Sequence, residues 1–270
     1  MKNEFMLSNQ LNFPQSPVLV NGVYLIGAGP GAYDLITVKG AQILAQADIV
    51  FFDALIDEKM LSWCPQAKLV PVGKRCGQFS NSQLFINRQL VNAAQKNNIV
   101  VRLKGGDPLI FGRATEEIEA LRKAAIHIEI IPGITTALAA SAELQQAPTS
   151  RNISRSVTIT TLPTKLNYES KETLIYYMGR DELKTIAQDL LERGHSKDTP
   201  VCLMESVSLK DQRSFGTTLE ELAQFNSEAL FTDKKPVIAL IGEVYRDALH
   251  RLQTLPHDEL DPYLYQPIAC

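Results

Sequence analysis

The segment IVVRLKGGDPLIFGR, residues 99–113, joins an apolar strand-like run to a turn that is rich in glycine and charge. Two other segments have the same arrangement, because GAGPG at 27–31 and GKR at 73–75 each follow an apolar run. An open α/β sheet binds its ligands at the turns that follow its strands. These segments therefore predict an α/β fold in which several turns build one site.

Outward from this segment, short apolar runs alternate with stretches whose apolar residues recur at helical spacing. Such alternation predicts a mainly parallel sheet in each of two domains, with the active site in the cleft between them. We place the domains at 21–148 and 149–250, with a flexible leader at 1–20 and a tail at 251–270. The predicted strands are 23–26, 49–52, 69–72, 99–103, 127–131, 157–161, 174–178, 201–204 and 237–241, and the predicted helices are 37–47, 86–94, 116–125, 135–144, 183–193 and 219–225.

The composition limits the possible functions without identifying one. The chain has 270 residues, a net charge of −3 and 45% hydrophobic residues. This balance argues against general binding to nucleic acid or to a membrane surface, and no apolar run is long enough to span a bilayer. The four cysteines are widely separated and lack zinc-ligand spacing, so we expect no metal site and a cytoplasmic location.

The GAGPG loop taken alone is compatible with a dinucleotide site, a methyltransferase site or a turn without a ligand. A dinucleotide site would use Asp53 as a ribose partner, but Pro30 removes a backbone N–H from the stretch that would donate to a pyrophosphate. In the later turn, Gly105 and Gly106 permit close approach of a ligand, and the Asp107 carboxylate suits a sulfonium cation. A solvated turn with a capping aspartate is the alternative there.

Residues 101–112 resemble, almost letter for letter, the signature of the uroporphyrinogen-III C-methyltransferase family within the tetrapyrrole methylase superfamily. They occur with the segments at 23–31, 73–75 and 132–135 in the order and spacing of that family. The resemblance implies a two-domain fold, a homodimer, and S-adenosylmethionine bound between the domains, with S-adenosylhomocysteine as product. The implied reaction is two successive methylations of uroporphyrinogen III to precorrin-2, for sirohaem or cobalamin-type synthesis.

The resemblance also assigns roles to individual positions. Asp53 and Lys74 match the proton acceptor and donor, and Arg113 and Glu116 match residues implicated near the substrate. Because arginine stays charged at any ordinary pH, Arg113 suits orientation of the substrate better than proton transfer. The positions that match substrate contacts are Gly29, Arg75 and Arg151. The positions that match cofactor contacts are Pro30, Gly105, Gly106, Asp107, Ile110, Thr135, Thr136, Met178 and Val207.

A tetrapyrrole that carries many carboxylates requires cationic side chains at the mouth of its cleft. The candidates are Lys74, Arg75, Arg102, Lys104, Arg113, Arg151 and Arg155, with a structural role for Arg102 as the alternative.

The chain departs from the family where Phe79, Ser150 and Leu162 stand in place of histidines. In addition, Val207 brings a branched side chain to a cofactor position where the family has a small residue. These departures leave two alternatives open: a superfamily methylase with a different acceptor, or a weakened paralogue that binds cofactor or tetrapyrrole without turnover.

Overall fold

The computed structural model describes residues 17–72, 83–161, 172–224, 231 and 235–254. These residues form two sheets with helices between the strands, in the alternating order that the sequence predicts. The two-domain α/β prediction is confirmed. The GKR segment, with Lys74 and Arg75, and the departures at Phe79 and Leu162 lie outside the described residues.

The first sheet has the strand order β3-β2-β4-β1-β5, and its described pairings are all parallel. Consecutive strands of a parallel sheet share one carboxyl edge, so the turns after β1 and β4 lie side by side. The strands are β1 (Gly22–Gly27), β2 (Ile49–Phe52), β3 (Lys68–Pro71), β4 (Ile99–Lys104) and β5 (Ile128–Ile131). The helices between them are α1 (Val38–Leu44), α2 (Gln83–Ala94) and α3 (Ala114–Lys123).

Strands β1 and β2 of this sheet are apolar on both faces, because helices cover both faces of the sheet there. Successive side chains of a strand alternate between the faces. In β1, Val23 and Leu25 pack in one cluster with Leu90 of α2. Tyr24 packs in a second cluster with Ile43 of α1. This two-sided burial explains why β1 and the first three residues of β4 read as apolar runs in the sequence.

The second sheet has the order β6-β7-β10-β8-β9 and is mainly antiparallel. Only β6 and β7 pair in parallel among its described strands, whereas the other three pairings are antiparallel. The prediction of a mainly parallel sheet in this half was wrong, because β9 was missed and β10 returns between β7 and β8. The strands are β6 (Val157–Thr160), β7 (Thr173–Tyr176), β8 (Pro200–Glu205), β9 (Arg213–Thr218) and β10 (Val237–Ile241).

Helix α4 (Thr136–Glu143) follows β5 in the chain but packs on the second sheet. Its Ala137 and Ala140 are fully buried in one cluster with Ile175 of β7 and Leu240 of β10. The turn that begins α4 therefore lies where the two halves of the chain meet. The other α-helices in the described part of this half are α5 (Leu183–Glu192), α6 (Leu219–Gln224) and α7 (Arg246–Thr254).

Among the described residues, no helix combines the length and the apolar character that crossing a membrane requires. The domain boundary near Pro148 and the leader and tail at the two ends of the chain stay predictions. Residues 1–16 and 255–270 lie outside the described ranges.

Candidate active site

The turns after β1 and β4 are joined directly by backbone hydrogen bonds. The Ala28 N–H donates to the Lys104 carbonyl at 2.8 Å. Gly29 and Gly106 then exchange two bonds, with N···O distances of 3.2 and 2.6 Å. Both glycines have positive φ, +81° for Gly29 and +66° for Gly106, which side chains other than glycine rarely tolerate. The two turns thus form one continuous surface at the carboxyl edge of the sheet.

The turn after β5 packs against the same surface because glycine leaves room for it. A Cβ added to Gly27 would lie 2.5 Å from the Cα of Gly133, so a side chain there would force the strands apart. On the open side, by contrast, a Cβ on Gly105 or Gly106 would meet nothing within 4 Å. The three turns therefore make a closely packed floor, which at Gly105 and Gly106 carries no side chain and faces open space.

Asp107 fastens two of these turns together. Its Oδ1 accepts the N–H of Leu109 at 2.8 Å, and its Oδ2 accepts the N–H of Gly133 at 3.0 Å. Each carboxylate oxygen is therefore held by a backbone donor. The carboxylate is fixed in place, as an electrostatic partner for a cation must be, and at the same time it stabilises the floor of the site.

The second half of the chain contributes to the same cleft through the residues after β7. Met178 has φ +54° and its side chain is 63% exposed, which is unusual for methionine next to a buried strand. The hydroxyl of Tyr177 lies 2.5 Å from Thr135 Oγ1 and accepts the N–H of Ala137 at 2.6 Å. These contacts bring Met178, Thr135 and the neighbouring Thr136 to one side of the cleft.

The loop after β8 touches the GAGPG loop from the other side. Ser208 Oγ accepts the N–H of Ala32 at 3.0 Å. A Cβ on Gly31 would lie 2.9 Å from the Val207 carbonyl and 2.8 Å from Leu209 Cγ, so only glycine fits there. Val207 is only 4% exposed and packs in the core, so its branched side chain does not enter the cleft.

Tyr177 and Ser208 were not among the residues that the sequence singled out. Their contacts cross 40 and 176 residues of chain, and neither lies in a glycine-rich turn. The sequence signals were the position of Tyr177 next to Met178 at the end of a predicted strand and the position of Ser208 next to Val207.

A buried charge network, formed by Asp53, Arg102, Lys104 and Glu117, lies behind this edge of the sheet. Glu117 of α3 is fully buried and accepts from Arg102 Nε at 2.9 Å and from Lys104 Nζ at 3.1 Å. Arg102 also donates to Asp53, whose side chain is 32% exposed at the end of β2. Two cations thus alternate with two anions, so the network balances its charge.

The burial of this network corrects one prediction. Arg102 and Lys104 are each 3% exposed, so they do not lie at the mouth of the cleft as expected. Burial opposes the charge of Arg102, but Asp53 and Glu117 outweigh it and raise its pKa. Burial lowers the pKa of Lys104, and the neighbouring charge of Arg102 adds to the effect. Both cations therefore form ion pairs with buried or partly buried carboxylates of the same chain.

Arg113 and Glu116 form a second ion pair, which faces solvent at the start of α3. Arg113 Nε and Nη2 donate to the two Glu116 oxygens, each at 2.8 Å. Arg113 precedes the helix with φ +54°, a left-handed conformation that directs the chain into α3. The hydrogen bond from Arg113 lowers the pKa of Glu116, so this carboxylate is ionised and weakly basic near neutral pH.

The remaining predicted residues lie in several separate segments of the chain. Pro30 is half-buried beside Gly29, which is buried, and Ile110 is 37% exposed beyond the GGDP turn. Arg151 is exposed in a short turn that Ser150 and Ser154 close, and Arg155 is exposed after it. No group of His, Cys, Asp or Glu among the described residues is arranged to hold a metal ion.

Comparison with known proteins identifies the family. The family model of Tetrapyrrole (Corrin/Porphyrin) Methylases matches residues 22–223, which include every turn of the cleft described above. The chain belongs to this family. It is 43% identical over 233 residues to the uroporphyrinogen-III C-methyltransferase of Pseudomonas aeruginosa, covering 83% of this chain and 94% of that protein.

Two further members of the family extend the comparison. A sirohaem synthase of Psychrobacter is 36% identical over 258 residues, covering 92% of this chain and 50% of that protein. The crystal structure of a uroporphyrin-III C-methyl transferase from Thermus thermophilus, complexed with S-adenyl homocysteine, superposes with a TM-score of 0.72. That tetrapyrrole methylase is 33% identical to this one, and the match covers 84% of this chain and 99% of the other.

Proposed function

We propose that this protein is a uroporphyrinogen-III C-methyltransferase, which transfers two methyl groups from S-adenosylmethionine to give precorrin-2. The observation that carries the proposal is the floor of Gly29, Gly105 and Gly106, which is open above Gly105 and Gly106 and has loops of the second half on either side. It occurs in a chain that is 43% identical to an enzyme of that name. The product would enter sirohaem or cobalamin-type synthesis.

The residues present fit S-adenosylmethionine. The space above Gly105 and Gly106 is open to backbone contact, and the fixed carboxylate of Asp107 lies at its side. Exposed Met178 and half-buried Thr135 supply apolar and hydroxyl contacts from the other side of the cleft. The full set proposed to hold it is Pro30, Gly105, Gly106, Asp107, Ile110, Thr135, Thr136, Met178 and the backbone of Val207. When bound, the cofactor supplies an electrophilic methyl group on a sulfonium.

The residues of the chain then orient the acceptor and accept the proton that each methyl transfer releases. Methylation at a pyrrole carbon releases the N–H proton of that ring, so a carboxylate must be near it. We favour Asp53 as acceptor, because Arg102 fixes one of its oxygens while the side chain still reaches solvent. Glu116 suits this role less, since both of its oxygens accept hydrogen bonds from Arg113. Lys74 remains the proposed donor.

Recognition of the acceptor rests on its carboxylates. Arg113 is 60% exposed, and its guanidinium can bind a substrate carboxylate in the bidentate geometry that it now offers to Glu116. We propose Arg75, Arg151 and the backbone of Gly29 as further substrate contacts. Holding both reactants in line accounts for most of the rate gain in such a transfer, on the order of several kcal/mol.

We further propose a homodimer in the cytoplasm, with no nucleic-acid or membrane partner. The family resemblance supports the dimer, and the net charge of −3 supports the absence of nucleic-acid and membrane partners.

The experiment that tests the function is anaerobic incubation of the purified chain with uroporphyrinogen III and S-adenosylmethionine. We expect S-adenosylhomocysteine to accumulate and the extracted tetrapyrrole to gain the mass of two methyl groups. Uptake of cofactor by calorimetry without either product would overturn the proposal and favour the binding-only paralogue. Methylation of another tetrapyrrole but not of uroporphyrinogen III would favour a different acceptor.

A further inference from the structure

The side chain of Tyr177 connects the two halves of the chain at the cleft. Its hydroxyl lies 2.5 Å from Thr135 Oγ1 and 2.6 Å from the N–H of Ala137, both in the first turn of α4. Its ring contacts the ring of Phe111, with centroids 5.4 Å apart, just beyond the GGDP turn. One side chain therefore contacts two separate segments of the candidate cofactor site and is followed directly by a third, Met178.

The contact with Ala137 replaces a cap that helix α4 lacks. The first backbone N–H groups of a helix have no partner within it, and the residue before the helix usually supplies an oxygen. Thr135 occupies that position, but its side chain makes no capping hydrogen bond. The hydroxyl of Tyr177 accepts the Ala137 N–H instead. The start of α4, which carries Thr135 and Thr136, is therefore held by a residue of the second half.

The hydroxyl is chemically suited to this permanent contact. Burial raises the pKa of Tyr177, with hydrogen bonds from Thr135 and Ala137 acting in the opposite direction, so the phenol stays protonated at neutral pH. A protonated phenol can accept from Ala137 while it shares one hydrogen with Thr135. The backbone after it turns sharply, because Met178 has φ +54°, and this turn presents the Met178 side chain to the cleft.

We propose that Tyr177 is a positioning residue for S-adenosylmethionine, which fixes Thr135, Thr136 and Met178 in one arrangement and aligns Phe111 with them. This inference rests on the proposed function and adds a residue that neither the sequence pattern nor the family resemblance assigned. It predicts that the Tyr177 hydroxyl affects binding of the cofactor more than binding of the tetrapyrrole, because the tetrapyrrole carboxylates are bound by arginines elsewhere.

Tyr177→Phe tests this directly, since it keeps the ring and removes the hydroxyl. We expect the calorimetric Kd for S-adenosylhomocysteine to rise about fivefold to tenfold, the range that losing one or two hydrogen bonds produces. KM for S-adenosylmethionine should rise in parallel, with KM for uroporphyrinogen III changed by less than about twofold. An unchanged Kd and unchanged KM for S-adenosylmethionine would overturn the inference.

Tyr24→Phe is the matched control. The hydroxyl of Tyr24 also makes two hydrogen bonds, to the backbone N–H and carbonyl of Val20 at 3.0 and 2.7 Å, but outside the cleft. We expect it to lower the melting temperature about as much as Tyr177→Phe and to leave the Kd unchanged. An equal rise in Kd for the two variants would assign the effect to general loosening and overturn the inference.

Phe111→Leu provides a second test that does not depend on the hydroxyl. Phe111 is 43% exposed, so the change leaves the core intact. We expect a rise of about twofold to fivefold in the Kd for S-adenosylhomocysteine, from loss of one aromatic contact. No rise would contradict the alignment of Phe111. If wild-type protein binds no S-adenosylhomocysteine, the proposed function fails as well; if wild type binds and the variants match it, only this inference fails.

Discussion

Two adjacent glutamates of helix α3, Glu116 and Glu117, each form an ion pair with an arginine, but the two pairs have completely different surroundings. Glu116 pairs with Arg113 at the surface, where the two side chains are 47% and 60% exposed. Glu117 pairs with Arg102 in the interior, where they are 0% and 4% exposed. The chemistry of the two pairs is the same, so position decides what each can do. The buried pair is committed to the fold, and the exposed pair is available to a ligand.

The energetic reason lies in the solvent. Charges at the surface are screened by water, and an exposed pair contributes only about 0–1 kcal/mol to stability. Charges in the interior have lost their hydration, so each depends on its partner, and removing one partner leaves the other uncompensated. Glu117 satisfies two cations, Arg102 and Lys104, whereas Glu116 satisfies one that water could also hydrate.

The largest expected effect follows from neutralising the buried glutamate. Glu117→Gln should lower the free energy of unfolding by about 3–5 kcal/mol, because Arg102 and Lys104 then share an interior with the single anion of Asp53. Glu116→Gln, one residue earlier, is the matched control and should leave the free energy of unfolding almost unchanged, because Glu116 is exposed to solvent. Urea denaturation of both variants measures the difference. Equal losses would show that burial does not distinguish the pairs.

Features that depend on one residue or on a short stretch of chain could be predicted from the sequence. Features that depend on contacts between distant residues could not. The glycine turns were predictable, because a positive φ or a missing Cβ is a property of the residue itself. Strands β1 and β2 of the first sheet were predictable, since they are buried on both faces and read as apolar runs. Strand β9 was not, because Arg213–Thr218 is mostly polar and contains Gly216.

The contacts that complete the site were beyond local pattern. Nothing in the sequence of β4 indicates that Arg102 and Lys104 form ion pairs with Glu117, which lies 15 and 13 residues away. The spacing of apolar residues shows which face of α3 is buried, but it does not show which strand that face covers. A single turn of helix separates exposed Arg113 from buried Glu117. The resemblance placed Arg113 and Glu116 near the substrate, and this role stays a proposal.

A smaller effect is expected from restoring charge balance in the interior. Lys104→Met combined with Glu117→Gln leaves Arg102 facing Asp53, one cation against one anion. We expect the double variant to be more stable than Glu117→Gln alone, by about 1–3 kcal/mol, the range for directly interacting residues. Denaturation of the two single variants and the double variant gives the coupling. If the two losses simply add, the network is not held together by charge.

Loss of the exposed pair should affect activity and leave stability almost unchanged, which is the reverse of the effect expected for the buried pair. Arg113→Ala removes a cation that is 60% exposed, so the free energy of unfolding should change by less than about 1 kcal/mol. If Arg113 binds a substrate carboxylate, kcat/KM for uroporphyrinogen III should fall about tenfold or more, largely through KM, with KM for S-adenosylmethionine unchanged. A stable variant with unaltered KM for the tetrapyrrole would remove Arg113 from the substrate site.

The smallest expected effect is the pH response of Glu116. Arg113 lowers the pKa of Glu116 below its ordinary value of 4.5. A depressed folded-state pKa favours the fold above the unfolded value, and this contribution is lost as pH falls through the folded value. Nuclear magnetic resonance titration should therefore find the Glu116 pKa below 4.5 in wild type and higher in Arg113→Ala. An unchanged value would mean that the pair seen at the surface is not maintained in solution.

Because Glu116 is already ionised near neutral pH, a limb of the pH–rate profile in that range must come from another group, and we expect Arg113→Ala to leave it in place.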